Sequence, residues 1–129
     1  MRDAVRSGGF EDVGGYARAV RIGSTIAVSG TAATGEGGVA LFPGDAYGQT
    51  REAFERALAA VAELGGRVED VIRTRIFLAE GANWRRAIDA HRELFDDVRP
   101  ANTTLFVAGF IPDGVIVEVE VDAVVPQIT

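Results

Sequence analysis

The sequence predicts an α+β fold in which two amphipathic helices cover one face of a mixed β-sheet. Along the chain the apolar residues change from the alternating spacing of strands to the helical period and back. Strand–helix–strand segments require parallel pairing, whereas strands joined by short turns pair antiparallel, so a mixed sheet is expected. With 129 residues, of which 47% are apolar, the chain matches a single domain spanning residues 1–129.

Short strands are predicted in the first third of the chain. Residues 18–30 contain two runs of β-branched residues around a turn at Gly23-Ser24, which predicts a β-hairpin. Residues 39–42 predict a short third strand that ends before Pro43, because proline cannot donate to a strand ladder.

The most regular pattern predicts a helix that begins after Asp45 and ends at Gly65-Gly66. Asp45 is a residue type that caps helix N-termini, and glycine readily adopts the left-handed conformation that ends a helix. The stripe expected to face the core consists of Thr50, Ala53, Phe54, Ala57, Leu58, Val61 and Leu64.

A second helix is predicted to begin after Asn83 and to end before Arg99-Pro100. Its apolar stripe consists of Trp84, Ala87, Ile88, His91, Leu94 and Phe95. A lone histidine within such a stripe is more often a core residue with one hydrogen-bonded nitrogen than a catalytic group. His91 is interpreted in this way.

Three further strands complete the predicted sheet. Residues 71–78 alternate, with Ile72, Thr74, Ile76 and Leu78 on one face and Arg73, Arg75 and Phe77 on the other. Residues 103–107 predict another strand, and the turn at Pro112-Asp113-Gly114 precedes the last one.

The last strand places Glu118, Glu120 and Asp122 on one face and three valines on the other. Neighbouring carboxylates raise one another's pKa unless a cation or water intervenes, so this face needs arginine neighbours or serves a site. Arg73 and Arg75 could pair with the acids or enter a ligand cleft. A helix-free sheet face that mixes acids with aliphatic residues predicts burial against other copies of the chain, and hence a homo-oligomer.

Composition excludes several classes of function. The net charge of −6 argues against nucleic acid as a partner, because phosphate backbones are bound mainly by basic surfaces. The chain has no cysteine, which excludes disulfides, thiolate nucleophiles, iron–sulfur clusters and cysteine-based zinc sites. No signal-peptide core or membrane-length apolar run occurs, so we expect a cytoplasmic protein without a membrane partner.

The sequence contains no complete version of the zinc-deaminase, serine-hydrolase or phosphate-loop motifs. His91-Arg92-Glu93 matches the H-x-E of zinc deaminases, but the cysteines that would complete the metal site are missing. No G-x-S-x-G elbow surrounds a serine, and no glycine-rich phosphate loop precedes a helix. The residues therefore point to neither a hydrolytic triad, a nucleotide site nor a metal site.

Five segments in order resemble the Rid (YjgF) family of reactive-intermediate deaminases. They are G-Y-A-R-A-V-R-I-G-S-T-I-A-V-S-G, the helix after P-G-D-A-Y, V-I-R-T-R-I-F-L, R-P-A-N-T and V-E-V-E-V-D-A-V-V. Together they cover nearly the whole chain. The resemblance implies a chorismate-mutase-like fold, a homotrimeric barrel and ligand clefts between subunits.

The resemblance also implies an activity and the residues that perform it. Family enzymes hydrolyse imines and enamines, such as 2-iminobutanoate and 2-iminopropanoate, to a 2-oxo acid and ammonia without a cofactor. Glu118 corresponds to the carboxyl group that orients water and shuttles protons. Tyr16, Ser29-Gly30 and Thr104 correspond to residues that shape the substrate cleft.

The chain departs from the family at Asn102, where the family has an arginine that binds the substrate carboxylate. Losing that bidentate pair should weaken binding by roughly 1.5 to 3 kcal/mol, so simple 2-imino acids are doubtful substrates. Arg99 could substitute, although an arginine on an exposed turn is more often solvated. Asn102 would then hydrogen-bond a neutral group of the substrate.

The resemblance, together with these residues, implies three hypotheses. The leading one is an imine or enamine deaminase in which Glu118 positions water. The second is a small-metabolite-binding module that uses the same intersubunit cleft without turnover, and the neutral Asn102 favours it. The third, an endoribonuclease, would need a basic surface that a net charge of −6 does not provide.

Overall fold

The computed structural model describes residues 1–127, which form six strands and three α-helices. The strands are β1 (Arg2–Val5), β2 (Ala19–Ile22), β3 (Thr25–Ala32), β4 (Val71–Ala79), β5 (Ala101–Val107) and β6 (Val117–Val124). The helices are α1 (Phe10–Gly14), α2 (Ala46–Glu63) and α3 (Trp84–Phe95).

All six strands belong to one sheet, in the order β1-β2-β3-β6-β4-β5. Strands β4 and β5 are parallel and are connected through α3, whereas every other neighbouring pair is antiparallel. The prediction of a mixed sheet is therefore confirmed. The chain reverses between β2 and β3 at Gly23, as the hairpin prediction required, and Gly23 adopts a positive φ of 60°.

Helices α2 and α3 pack on one face of the sheet, as predicted. The core between them contains Phe54 and Phe95, whose rings meet edge to face with centroids 5.2 Å apart. Val117, Val119 and Val121 of β6 are fully buried beneath the helices. The face of β6 that carries the acids therefore points away from the helices.

The predicted ends of the two long helices are also confirmed. The Asp45 side chain accepts a hydrogen bond from the Gly48 amide at 2.9 Å, and Gly65 follows α2 with a φ of 88°. The Asn83 side chain accepts a hydrogen bond from the Arg86 amide at 3.3 Å. These contacts satisfy amide groups that lack a partner inside the helix.

His91 is partly buried and packs against core aromatic rings with one satisfied nitrogen, which is close to its interpretation from sequence. Its Nε2 lies 2.7 Å from the hydroxyl of the buried Thr74, and its ring packs between Phe54 and Phe95. Burial lowers the pKa of His91, because the charged imidazolium is disfavoured away from water.

Several local predictions were wrong. Residues 39–42 form no strand, and a single bridge links Ala40 to Thr34 after a turn built from glycines. Ile72 is 53% exposed instead of facing the core, because a bulge at that point reverses the alternation of β4. β5 begins at Ala101, two residues before its predicted start at position 103.

Two N-terminal elements, β1 and α1, were not predicted. β1 adds an edge strand beside β2, and α1 lies between them along the chain. Across the described residues, no helix has the length and apolar character needed to cross a membrane.

Candidate functional site

A cavity of about 640 Å³ contains several of the predicted site residues. We call it the Glu118 cavity. It is formed where α1, the residues after it, β3 and β6 meet, and Tyr16, Gly30 and Glu118 are among its lining residues. The structure therefore brings together three of the residues that the resemblance assigned to one cleft.

The Glu118 carboxyl group is half-buried in this cavity. Strand alternation places it opposite the buried valines of β6, between β3 and β4. Burial raises the pKa of Glu118, the charge of Arg18 opposes that rise, and the nearby Glu120 adds to it. A carboxyl group with a raised pKa can both take up and release a proton nearer to neutral pH.

Gly30 allows the Glu118 carboxylate to sit directly against the backbone of β3. A β-carbon added to Gly30 would collide with Glu118 Oε1 and would lie 3.2 Å from the carboxyl carbon. The pairing between β3 and β6 shifts register between Val28 and Thr31, so this close approach occurs at an irregularity of the sheet.

Ser29 does not line the cavity, but it hydrogen-bonds to a segment next to it. Its hydroxyl donates to the Ala17 carbonyl at 2.7 Å, and its amide donates to the Arg18 carbonyl at 3.0 Å. Because both partners directly follow Tyr16, Ser29 fixes the segment that carries the tyrosine.

Tyr16 forms part of the wall and is 49% exposed. It follows the end of α1, where Gly15 has a φ of 75° and the Tyr16 amide donates to the Glu11 carbonyl at 3.0 Å. The tyrosine ring thus stands at the cavity on a short, defined turn.

Three charged residues of the cavity, Glu11, Arg18 and Arg56, were missed by the sequence reasoning. The Glu11 carboxylate is buried and accepts hydrogen bonds from the Ser7 amide, at 2.9 Å, and from the Ser7 hydroxyl. Burial alone would raise the pKa of Glu11, but the bonds from Ser7 and the charge of Arg18 lower it on balance. Arg18 donates to the Gly30 carbonyl.

A sequence signal for Arg18 did exist. It directly precedes Ala19, whose side chain is in the core, so alternation places Arg18 on the sheet face that also holds Glu118. No comparable signal exists for Glu11, because a helix as short as α1 has no readable period.

Asn102 and Thr104 line a different, smaller cavity of about 310 Å³, which we call the Asn102 pocket. It lies between β5 and α3, and Trp84 and Phe106 also contribute to it. Asn102 Nδ2 donates to the Thr74 hydroxyl at 3.0 Å, and Asn102 Oδ1 accepts from the Thr104 hydroxyl at 2.8 Å.

Within one chain the Asn102 pocket cannot join the Glu118 cavity. Asn102 lies on the helix-covered face, since its partner Thr74 contacts His91 of α3, whereas Glu118 lies on the other face. β4 also separates β5 from β6 in the sheet. The predicted site residues therefore form two separate groups in the protomer.

The arginines that the sequence left open lie outside the Glu118 cavity. Arg75 is 3.5 Å from Glu120 and 3.1 Å from Asp122, which matches the ion-pair interpretation.

Arg73 donates to the Thr103 hydroxyl at 3.3 Å. Arg99 pairs with Asp96 at 3.1 Å, and its side chain is 79% exposed. Throughout residues 1–127, no three metal-binding side chains are grouped closely enough to hold a metal ion.

Comparison with known proteins identifies relatives along most of the chain. The family model for endoribonuclease L-PSP matches residues 9–125. An uncharacterized protein, SCO2049, of Streptomyces coelicolor is 47% identical over 120 residues, which cover 92% of this chain and 89% of that protein. The 3-aminoacrylate deaminase RutC of Acinetobacter baylyi is 30% identical over 101 residues, covering 78% and 80% of the two chains.

A solved structure supports the same assignment. The crystal structure of Rv2704 from Mycobacterium tuberculosis, a member of the YjgF/YER057c/UK114 family, superposes with a TM-score of 0.86 at 37% identity. The match covers 97% of this chain and 100% of Rv2704. The chain therefore belongs to the endoribonuclease L-PSP (YjgF) family, the one that its sequence segments resemble.

Proposed function

We propose that the protein hydrolyses a reactive imine or enamine to a carbonyl compound and ammonia. The observation that carries this proposal is the half-buried Glu118 carboxyl group, which lines a cavity against Gly30 and has a raised pKa. Membership of a family that includes a protein named 3-aminoacrylate deaminase supports the same chemistry.

The proposed reaction needs one group that exchanges protons with water. Glu118 orients a water molecule and accepts its proton as the oxygen bonds to the imine carbon. The same carboxyl group returns this proton to the nitrogen of the resulting carbinolamine and then takes the hydroxyl proton, so that the carbonyl forms as the carbon–nitrogen bond breaks and ammonia leaves. An enamine would enter this sequence after protonation at carbon gives the iminium.

The complete site is proposed to lie between copies of the chain in a homotrimer. This follows from the position of Asn102 and Thr104, which lie on the opposite sheet face from Glu118 within one protomer. A second copy could place its Asn102 edge against the Glu118 cavity. Sedimentation velocity at micromolar concentration should give a trimer, and a profile containing monomer alone would contradict this part of the proposal.

The substrate is proposed to differ from a simple 2-imino acid. Asn102 brings no charge, and within the protomer both of its amide atoms already hydrogen-bond to threonines. The substrate should therefore not depend on a carboxylate clamp at position 102. Thr104 would contribute to the substrate site from its position beside Asn102. Tyr16 and Ser29-Gly30 would form the opposite wall of that site.

Ammonia release from enzymatically generated imines tests the proposal directly. Glu118→Gln keeps the size of the side chain but removes its ability to exchange protons, so turnover should fall by about 100-fold or more. Glu63→Gln, on an exposed position of α2, is the matched control and should leave turnover unchanged. Equal activity of wild type and Glu118→Gln would exclude Glu118 from the mechanism.

A second candidate function is favoured by Asn102, namely binding of a small metabolite without turnover. In that case ligands would raise the unfolding temperature while no imine yields product above the uncatalysed rate. The endoribonuclease in the family description finds less support, because the net charge of −6 disfavours contact with an RNA backbone.

A further inference from the structure

We infer that Arg18 recognises an anionic group of the ligand in the Glu118 cavity, which makes the substrate an imine or enamine that carries an acid. This inference rests on the proposed function for the reaction itself, but it concerns binding and can be tested without turnover. It assigns a role to Arg18, which directly precedes β2, whereas Asn102 lies on β5.

The first support is the incomplete hydrogen bonding of Arg18. One terminal guanidinium nitrogen donates to the Gly30 carbonyl. The Nε atom is buried and has no hydrogen-bond partner within the described chain. A buried charged donor without a partner is costly, so such groups in folded proteins usually meet a ligand, an ion or water.

The second support is the position of Arg18 relative to the reacting group. Arg18 and Glu118 both contact Gly30, the arginine at its carbonyl and the glutamate beside its α-carbon. Both side chains line the same cavity. A ligand whose acid meets Arg18 would therefore present its neighbouring carbon atoms to Glu118.

The other charged groups of the cavity leave Arg18 as the available cation. Arg56 also lines the cavity, but it pairs with Glu52 at 2.8 Å and donates to the Thr34 carbonyl at 2.6 Å. Both oxygens of Glu11 accept hydrogen bonds from Ser7. Among residues 1–127, Arg18 is thus the cavity's one cationic group with a buried donor that lacks a hydrogen-bond partner.

The chemistry of Arg18 also explains how the chain could lack an arginine at position 102. A guanidinium binds carboxylates through charge-assisted hydrogen bonds, whereas a neutral amide cannot supply the charge. Because Arg18 belongs to the wall that holds Glu118, the acid of the ligand need not be the group next to the imine carbon. The proposed anion-binding residue of this chain is therefore Arg18, beside β2, and not the residue at position 102 of β5.

Calorimetric titration with three four-carbon carbonyl compounds tests the inference. The probes are 2-oxobutanoate, 4-oxobutanoate and butanone, which differ in the presence and position of a carboxylate. We expect at least one acid to bind about tenfold or more tighter than butanone, and its position shows where the acid of the substrate lies. Arg18→Gln should remove this advantage while leaving butanone binding unchanged.

Two further variants make the outcome decisive. Arg18→Lys keeps the charge and should retain most of the preference for the acid, which excludes a merely structural effect. Arg67→Gln, at a 70% exposed arginine, is the matched control and should change nothing. The inference is overturned if neither acid exceeds butanone, or if Arg18→Gln weakens acid and ketone equally.

The same experiment separates this inference from the proposed function. Wild type that binds an acid through Arg18 but releases no ammonia from any imine would refute the deaminase proposal and leave the inference intact. Turnover that depends on Glu118 but is unaffected by Arg18→Gln would refute the inference about Arg18 and leave the deaminase proposal intact.

Discussion

The Glu118 cavity and the Asn102 pocket differ in how their polar groups are satisfied. In the Asn102 pocket, hydrogen bonds run without a gap from Thr104 through Asn102 and Thr74 to His91. In the Glu118 cavity, a carboxyl group with a raised pKa lies near an arginine whose Nε is unpaired. The first arrangement is complete without a ligand, whereas the second gains hydrogen bonds when one binds.

This difference indicates a division of labour between the two regions. A closed polar network stabilises the fold, and substitution of its buried member Thr74 should mainly lower stability, whereas the exposed Asn102 can still face the site of a second copy. A cavity with half-buried charges is suited to chemistry, and substitutions there should mainly lower activity or binding. The predictions below test whether stability and activity separate in this way.

The largest effect is expected from Gly30→Ala. Its β-carbon would collide with the Glu118 carboxylate, so the side chain must move away from its position in the cavity. Displacing a catalytic group by about 1 Å can cost on the order of 100-fold in rate, and we expect a loss of that size in ammonia release. Steady-state kinetics on the same imines measures it.

Gly109→Ala is the matched control for this substitution. Gly109 has no atom within 4 Å of its added β-carbon, so alanine should be accommodated without loss of activity. Both variants should unfold at similar denaturant concentrations. Full activity of Gly30→Ala would show that the close approach of Glu118 to β3 has no role in turnover.

The next effect concerns the Asn102 pocket. Thr74→Val removes a fully buried hydroxyl that bonds both Asn102 and His91, at 3.0 and 2.7 Å. The partly buried histidine nitrogen and Asn102 would both lose a hydrogen bond, which should lower the free energy of unfolding by about 1 to 3 kcal/mol. Urea denaturation at fixed protein concentration measures the change.

The exposed Thr25→Val in β3 is the control and should stay within about 0.5 kcal/mol of wild type. If Thr74→Val were as stable as wild type but lost activity, the polar chain would belong to the site and the division of labour would be wrong.

A smaller effect is expected from Glu118→Gln on stability. The pKa of Glu118 is raised in the folded protein, so ionising it costs folding free energy at neutral pH. The glutamine variant should therefore be the more stable protein above the ordinary pKa of 4.5, and its advantage should vanish as pH falls below that value. Thermal unfolding at several pH values tests this, and a constant difference would contradict it.

Much of the fold could be predicted because its main elements have strong local patterns. Helices α2 and α3 combine an apolar stripe with Asp45 and Asn83 as caps, and these signals act over a few residues. Residues 117–122 of β6 alternate between valine and acid, which identified the two faces of the strand.

The errors occur where a neighbouring strand decides the structure. Ile72 is exposed because β4 bulges against β6, and a bulge depends on the partner strand. β1 is only four residues long, and α1 only five, which is too short for a period to be recognised. Residues 39–42 contain apolar residues but lack a second strand to pair with along their length.

The candidate site also contains some residues that could be predicted from the sequence and others that could not. Glu118, Gly30 and Tyr16 were named from the resemblance, and the structure places them around one cavity. Glu11 enters that cavity through the packing of the N-terminal segment, which no local pattern reveals. In contrast, alternation next to the buried Ala19 could have placed Arg18 on the same sheet face as Glu118. Within one chain Asn102 lies on the opposite sheet face from Glu118, so its proposed approach to the site would require a second copy of the chain.

The smallest effect is expected at Arg99, which sits at the same edge as the Asn102 pocket. Arg99 has a φ of 55°, and its guanidinium reaches back to the Asp96 carboxylate at 3.1 Å with the side chain 79% exposed. Exposed pairs of this kind contribute little, so Arg99→Gln should change stability by less than about 1 kcal/mol and leave acid binding unchanged. A large loss of acid binding would place the anion-binding cation beside Asn102 after all, and the contrast between the two regions would have to be redrawn.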